Sequence, residues 1–156
     1  MRRISATGIE GFTLVEILVV VAITGIVLAV AAVNLWPSDA EVARREAGYV
    51  ALSLEKARDA AWFGGRPTAI SFGDGRMHFW RLAPNRSWAA EPAMDRALGE
   101  ASVTGLYVDG VALAPNERLI FLADGFAQPF HVGLEIRGIS KAIDGDAAGS
   151  LILGDK

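Results

Sequence analysis

The amino-acid sequence predicts an α+β protein in which a long N-terminal helix, membrane-spanning in its first half, packs against an antiparallel β-sheet domain. Three patterns predict this fold. A long uncharged apolar run lies near the N-terminus, a stripe of apolar residues at helical spacing follows it, and beyond residue 65 apolar and polar residues alternate in short segments. A chain of 156 residues accommodates one modest domain and an appendage.

Charge and cysteine content exclude several classes of protein. Fifteen Lys and Arg stand against 18 Asp and Glu, a formal net charge of −3, and no long block of either sign is present. This balance argues against a nucleic-acid binder that works by bulk electrostatics. The chain has no cysteine, which excludes disulfides, thiolate metal sites and cysteine nucleophiles.

The apolar run is long enough to cross a membrane. No charged side chain occurs from Ile17 to Val33. A helix from Phe12 to Trp36 would span about 37 Å, against a hydrocarbon core of about 30 Å. Arg2 and Arg3 precede the run and favour a cytoplasmic N-terminus with the remainder of the chain outside.

Three interpretations of this segment are open. It is a secretory signal peptide cut after Ala31, since Ala29-Val30-Ala31 is a small-x-small site, or it is a plain single-span anchor. Glu16 argues against both, because a signal peptide gains nothing from an acid there and polar residues inside spans usually serve a function.

The third interpretation uses the whole string Gly11-Phe12-Thr13-Leu14-Val15-Glu16 and the apolar run behind it. The string resembles the class III signal of type IV pilins and of the pseudopilins of type II secretion, a glycine followed by F-T-L-[IV]-E. The resemblance implies that residues 1–11 are a leader. A membrane-embedded prepilin peptidase would cut between Gly11 and Phe12 on the cytoplasmic side and methylate the new amine of Phe12, and residues 12–36 would stay as the transmembrane and filament-core helix.

Glu16 has a physical purpose under this interpretation. An ionised carboxylate within a span costs about 2.5 to 3.5 kcal/mol, and a nearby counter-charge lowers that cost. Cleavage creates the positive amine of Phe12, about one helical turn from Glu16. The resemblance implies that the pair forms mainly between neighbouring subunits. Glu16 is therefore the predicted assembly residue.

A second helix is predicted from Ser38 to about Phe63. Pro37 ends the first helix, Ser38-Asp39-Ala40-Glu41 is a capping-box pattern, and Gly64-Gly65 ends the second helix. Its apolar stripe predicts a core-facing helix, with a coiled-coil seam as the alternative. The stripe consists of Ala43, Ala47, Val50, Leu54, Ala57 and Ala61.

Residues 66–156 are predicted to be rich in β-strand and to complete, with this helix, a domain over residues 38–156. Thr68–Phe72 and Arg76–Leu82 flank Gly73-Asp74-Gly75 as a hairpin, and Phe130–Ile136 alternates as a half-buried strand. Ala83–Ala101 is predicted to be a long connection with one short helical turn. Further short strands are predicted at Val103–Val108, Val111–Ala114, Leu119–Ala123 and Ser150–Leu153, with turns at Asp109-Gly110, Asp124-Gly125 and Asp144-Gly145.

No catalytic, cofactor or metal site is predicted. His78 and His131 fall in predicted strands without a cysteine or acidic pair at metal-ligand spacing, and no serine lies in a nucleophile elbow. Asp144, Asp146 and Asp155 raise the alternative of calcium, but their spacing resembles no EF-hand loop and a turn explains the first two.

The four tryptophans receive separate predictions. Trp36 fits a membrane-interface anchor, and Trp62 and Trp80 are predicted to lie in the core. Trp88 is predicted to be in the core or exposed for a partner.

The later segments narrow the resemblance. Glu46 to Trp88 reads as a helix, a Gly-rich exit and a strand pair with an aromatic-rich end, and Phe121 to Phe130 reads F-x-x-D-G-x-x-x-P-F. Together they resemble the H-type minor pseudopilins of type II secretion (the GspH family), which have a pilin-like fold. A FimT-type minor pilin of a type IV pilus, acting in pilus assembly or DNA uptake, is the alternative that shares this domain.

The resemblance to H-type pseudopilins implies a non-enzymatic subunit near the tip of the short periplasmic pseudopilus that supports protein export. Its partners would be the major pseudopilin, other minor pseudopilins, the prepilin peptidase and the inner-membrane assembly platform, with no nucleic acid. The subunit would be a single-pass inner-membrane protein with a periplasmic C-terminal domain. A periplasmic enzyme or binding protein released by cleavage after Ala31 stays open as the alternative from another class.

Overall fold

A computed structural model describes residues 13–34, 37–115, 117–124, 126 and 128–155. The chain divides into two compact units, Met1–Pro37 and Ser38–Lys156, which are described separately. Gly11, Phe12 and Trp36, for which the sequence made specific predictions, lie outside the described residues.

The first unit contains helix α1, Leu14–Asn34. Thr13 precedes it, and both the Thr13 carbonyl and the Thr13 hydroxyl accept a hydrogen bond from the Glu16 N–H, at 3.0 and 3.3 Å. The Thr24 hydroxyl donates to the Val20 carbonyl at 2.7 Å, so this polar group is satisfied within the helix. From Leu14 to Ala32 the helix has a mean hydropathy of 2.8, and none of it is buried within the chain.

The second unit begins with helix α2, Asp39–Gly64. The Ser38 hydroxyl caps it by accepting a hydrogen bond from the Glu41 N–H at 3.2 Å. Gly65 ends it in the left-handed conformation at φ 60°, and its N–H bonds back to the last turn. All six residues of the predicted apolar stripe are buried, together with Val42. The stripe faces the core of its own unit, as the core-facing interpretation predicted.

Within the described part of the second unit, ten strands follow, all paired antiparallel in two sheets. The first sheet has the order β3-β2-β1-β7, with β4 also paired to β2; the second has the order β10-β9-β8-β5-β6. The strands are β1 Thr68–Gly73, β2 Arg76–Leu82, β3 Trp88–Ala90, β4 Arg96–Ala97, β5 Ala101–Val108, β6 Val111–Ala112, β7 Leu119–Phe121, β8 Phe130–Ile136, β9 Ile139–Gly145 and β10 Leu151–Asp155.

The β1–β2 hairpin closes as the sequence predicts. Gly73 pairs with Arg76, which leaves Asp74 and Gly75 as a two-residue turn with φ of 51° and 67°. Positive φ at both positions is the signature of a type I′ turn, whose twist matches that of the strands.

The core lies between α2 and the two sheets. The buried Thr68 hydroxyl donates to the Ala57 carbonyl at 2.6 Å and ties β1 to α2. Phe121 of the first sheet and Phe130 of the second meet edge to face, with ring centroids 6.0 Å apart at 89°. This aromatic pair joins the two sheets.

The predicted turn at Asp144-Gly145 is wrong. Both residues belong to β9, and Gly145 pairs with Phe130. A Cβ at Gly145 would lie 2.2 Å from the Phe130 ring, so the glycine leaves the space that this ring occupies. The chain reverses after it, where the Asp146 carboxylate accepts a hydrogen bond from the Ser150 N–H at 2.8 Å.

The connection Ala83–Ala101 is more ordered than predicted. It contributes β3 and β4 to the edge of the first sheet and a short 3-10 helix at Pro92–Met94. Strand β9 was also missed, because Arg137 and Gly138 form its tight turn with φ of 52° and 76°, a conformation that the sequence signals weakly at arginine.

Candidate functional site

The first candidate site is the N-terminal turn of α1. Glu16 is the acidic residue of that turn, and its side chain is exposed. The N-terminus of a helix carries a partial positive charge that favours a carboxylate, so the helix itself stabilises Glu16 in part. Gly11 and Phe12 lie outside the described residues, and the predicted pairing of Glu16 with the amine of Phe12 remains a prediction.

The surface of α1 is apolar on every side. Leu14, Ile17, Leu18 and Val21 lie on one face, and the opposite faces are equally rich in exposed aliphatic side chains. A helix that is apolar all round is stable only inside a protein core or a membrane. Such a helix can insert into a bilayer, and it can pack against other apolar helices.

The two histidines form single pairs with aspartates. The His78 Nδ1 lies 2.9 Å from an Asp95 carboxylate oxygen, and the His131 Nδ1 lies 2.7 Å from Asp144. Across the described ranges, no group of three or more metal-ligating side chains occurs. In the β9–β10 hairpin, Asp144 lies opposite Ile152 and Asp155 lies opposite Lys141.

Asp95 fills a gap in strand pairing that the sequence did not indicate. One carboxylate oxygen accepts the Phe79 N–H at 2.8 Å and the other contacts His78, while the Phe79 carbonyl accepts the Glu91 N–H. Phe79 lies between the β2 residues that pair with β3 and those that pair with β4. The carboxylate therefore substitutes for a missing backbone acceptor along the edge of the first sheet.

Asp95 makes the stability of this edge depend on pH. Burial alone would raise the pKa of Asp95, but hydrogen bonds from the Phe79 N–H and from His78, with the positive charge of Arg76, lower it below its ordinary value of 3.8. Because the pKa is depressed in the folded state, the stabilisation is complete above the unfolded pKa and is lost as the pH falls through the folded pKa.

We therefore expect Asp95→Asn to lower the free energy of unfolding by about 1.5 to 3 kcal/mol at pH 6, the range for a hydrogen bond to a charged group. The difference from the unmodified chain should shrink between pH 6 and pH 2, because the stabilisation is lost as the pH falls through the lowered pKa of Asp95. Urea unfolding followed by tryptophan fluorescence at the two pH values measures it. Asp74→Asn, in the exposed β1–β2 turn, is the matched control, and an equal effect of both substitutions would contradict the assignment.

Arg137 links three distant parts of the second unit. It lies in the β8–β9 turn and bonds to Glu100, before β5, and to Asp39 in the first turn of α2. The hydrogen bond from Arg137 lowers the pKa of Glu100. The sequence did not reveal this cluster, because its members are far apart along the chain.

Three tryptophan predictions are corrected or refined. Trp62, predicted in the core, is 59% exposed and stacks on Phe63, which is 83% exposed. Trp80 is half-buried: its indole N–H donates to the Ser71 hydroxyl at 2.9 Å, and the Arg118 guanidinium lies 4.1 Å from its ring centroid. Trp88 is half-buried as well.

A family model matches the N-terminal segment of the chain. Residues 8–32 match the family described as "Prokaryotic N-terminal methylation motif". Comparison with curated protein sequences gives no match.

Solved structures share the fold of the chain. The minor pseudopilin EpsH from the type 2 secretion system of Vibrio cholerae is 18% identical with a TM-score of 0.54, over 72% of this chain and 95% of that one. A crystal structure of EpsH is 17% identical with a TM-score of 0.51, over 66% and 88%. The solution structure of GspH from Escherichia coli is 21% identical with a TM-score of 0.56, over 72% and 87%.

The matches to solved structures confirm the predicted pilin-like α+β fold. The N-terminal motif covers Glu16 and most of α1, and the structural similarity extends over 66 to 72% of the chain. At these identities the structures establish the fold of the chain.

Proposed function

We propose that the chain is a structural, non-enzymatic minor subunit of a type II secretion pseudopilus, assembled near the filament tip. One observation carries the proposal. A prokaryotic N-terminal methylation motif coincides with an exposed apolar helix that has an acid in its first turn. The similarity of the chain's fold to EpsH and GspH supports the same proposal.

The subunit enters the inner membrane first. Leu14–Ala32 rises about 28 Å as a helix, close to the hydrocarbon thickness of about 30 Å. Arg2 and Arg3 retain the N-terminus in the cytoplasm, and the second unit is periplasmic. The prepilin peptidase then cuts between Gly11 and Phe12 and methylates Phe12. Loss of Arg2, Arg3 and Glu10 with the leader changes the formal charge from −3 to −4.

The filament forms when α1 exchanges lipid for other apolar helices. An apolar helix drawn out of the bilayer must be covered, and the α1 helices of the major pseudopilin and the other minor pseudopilins supply that cover. Glu16 pairs with the methylated amine of a neighbouring subunit, which removes the cost of holding the carboxylate in lipid. The inner-membrane assembly platform delivers the subunit, and the acidic mature chain takes no nucleic acid as partner.

The N-terminus of the mature chain tests the proposal. After co-expression with a prepilin peptidase, intact mass and N-terminal sequencing are expected to give a chain that starts at methylated Phe12. Gly11→Val should stay uncleaved, because a branched side chain enters the peptidase site beside the scissile bond. Gly8→Val, a second glycine of the leader, is the matched control and should be cleaved normally. A mature chain that starts at Ala32 would instead establish a signal peptide.

A further inference from the structure

The outward face of α2 carries a row of four side chains that the core does not use. Arg45, Tyr49, Leu52 and Lys56 recur at steps of four, three and four, so they lie on one side of the helix over about 16 Å. Tyr49 is 40% and Leu52 43% exposed. The row therefore presents an apolar centre with a cation at each end.

A cavity adjoins this row. It has a volume of about 290 Å³ and lies between α2 and the connection that carries β3 and β4, with Phe79 and Met94 as apolar lining and Lys56 and Arg96 as basic lining. The Arg96 guanidinium lies 4.7 Å from the centroid of the Tyr49 ring, so it joins the cavity to the row. We refer to the row and this cavity together as the α2 groove.

The α2 groove is lined by basic side chains, although the chain as a whole has a negative formal charge. Within the described residues, Arg45, Lys56 and Arg96 form no ion pair, although the charge of Arg45 contributes to the lowered pKa of Glu100.

Three acids near the groove are directed elsewhere, whereas Glu41, one turn before Arg45, is exposed on the same side of α2. Asp95 lines the cavity, but its two oxygens are engaged by Phe79 and His78. The Glu46 carboxylate lies beside Gly99, and Glu55 falls about 60° or more around the helix from the row. Lys56 and Arg96 are thus available to an incoming anion, while Arg45 has Glu41 and Glu100 in its surroundings.

We propose that the α2 groove binds an acidic amphipathic segment of a partner protein. An apolar side chain of the partner packs on Leu52 and enters the cavity, and carboxylates at the two ends of the segment pair with Arg45 and with Lys56 and Arg96. An anion without apolar side chains, such as a nucleic-acid backbone, would leave Leu52 and the cavity uncovered. The proposal rests on the second unit alone and is independent of processing after Gly11.

Binding of designed peptides to the full chain in detergent tests it. The probe is a fluorescein-labelled, alanine-based helical peptide with glutamate, leucine, leucine and glutamate at the spacing of the row. One comparison peptide has lysines in place of the glutamates, another has serines in place of the leucines, and a thymidine oligonucleotide represents nucleic acid. Fluorescence polarisation is expected to show the glutamate–leucine peptide binding at least tenfold more tightly than each of the three.

Substitutions then locate the site. Lys56→Gln is expected to weaken binding about threefold and the double substitution Lys56→Gln with Arg96→Gln about tenfold, as for exposed ion pairs. Leu52→Ser tests the apolar centre and should weaken binding about tenfold. Arg66→Gln, beyond the end of α2, is the control and should leave the affinity unchanged. Unaltered urea unfolding of each variant confirms that the fold is intact.

Several results would overturn the proposal. These are absence of binding by the glutamate–leucine peptide, equal binding of the lysine peptide, and an Arg66→Gln loss as large as that of Lys56→Gln. Preferential binding of the oligonucleotide would overturn it as well, and would assign the basic surface to nucleic acid. None of these results bears on the start of the mature chain, so failure here and failure of the proposed function are distinguishable.

Discussion

Glu16→Ala is expected to leave cleavage after Gly11 intact and to reduce incorporation into a filament about a hundredfold. The carboxylate costs about 2.5 to 3.5 kcal/mol in the bilayer, and pairing with a neighbouring amine in the filament removes this cost. An alanine at position 16 costs nothing in lipid and forms no ion pair in the filament. Moving the subunit from the bilayer into the filament therefore no longer gains the free energy that pairing of the carboxylate provides. At 1.4 kcal/mol per factor of ten, the loss is about two orders of magnitude.

The measurement is the amount of the chain in sheared, purified filaments relative to the membrane fraction, in cells that express the remaining secretion components. Glu41→Ala is the matched control, because Glu41 is an exposed acid in the first turn of α2 as Glu16 is in the first turn of α1. Normal incorporation of Glu16→Ala would contradict the assembly role. Loss of cleavage in the same variant would show that Glu16 is needed for processing by the peptidase.

Phe121→Ala is expected to lower the free energy of unfolding of the second unit by about 3 to 5 kcal/mol. Phe121 is 1% exposed, and its ring packs edge to face on Phe130 of the other sheet. Its removal leaves a cavity at the contact that joins the two sheets. That loss is a large fraction of the 5 to 15 kcal/mol of a typical domain.

Urea unfolding of the full chain in detergent, followed by tryptophan fluorescence, measures this effect. Phe63→Ala removes the same side chain from an exposed position at the end of α2 and should change the free energy by less than about 0.5 kcal/mol. Similar losses for the two variants would show that Phe121 is not part of the core contact. If Phe121→Ala lowers the free energy of unfolding but leaves its slope against urea concentration unchanged, the substitution affects stability and not the compactness of the folded or unfolded state.

Local patterns predicted the helices and the first hairpin. The stripe from Ala43 to Ala61 predicts the buried face of α2, because side chains three and four residues apart share one side of a helix whatever packs there. The same geometry places Trp62 about 100° from Ala61 and off the stripe. The prediction of Trp62 in the core was wrong because it relied on residue type.

Glu16 could also be recognised from the local sequence alone. An acid one turn into an uncharged apolar run is visible without any tertiary contact, because the bilayer and not the rest of the chain makes it costly. The motif around it was therefore the strongest signal in the sequence. The pairing of Glu16 with the amine of Phe12 remains a prediction, as Gly11 and Phe12 lie outside the described residues.

Non-local contacts account for what the sequence did not reveal. Gly145 looks like part of a turn beside Asp144, yet it pairs with Phe130 in β9, where its missing side chain leaves room for the Phe130 ring. Asp95 looks like a loop residue, yet its carboxylate accepts a hydrogen bond from Phe79 along the edge of β2.

The α2 groove likewise requires Arg96 to lie over Tyr49, a contact between parts of the chain far apart in sequence. The two helices and the Asp74-Gly75 turn are encoded by neighbours along the chain, so the residue pattern was enough to predict them. Sheet edges, ion clusters and the α2 groove depend on which distant segments meet, and only the packed structure determines that.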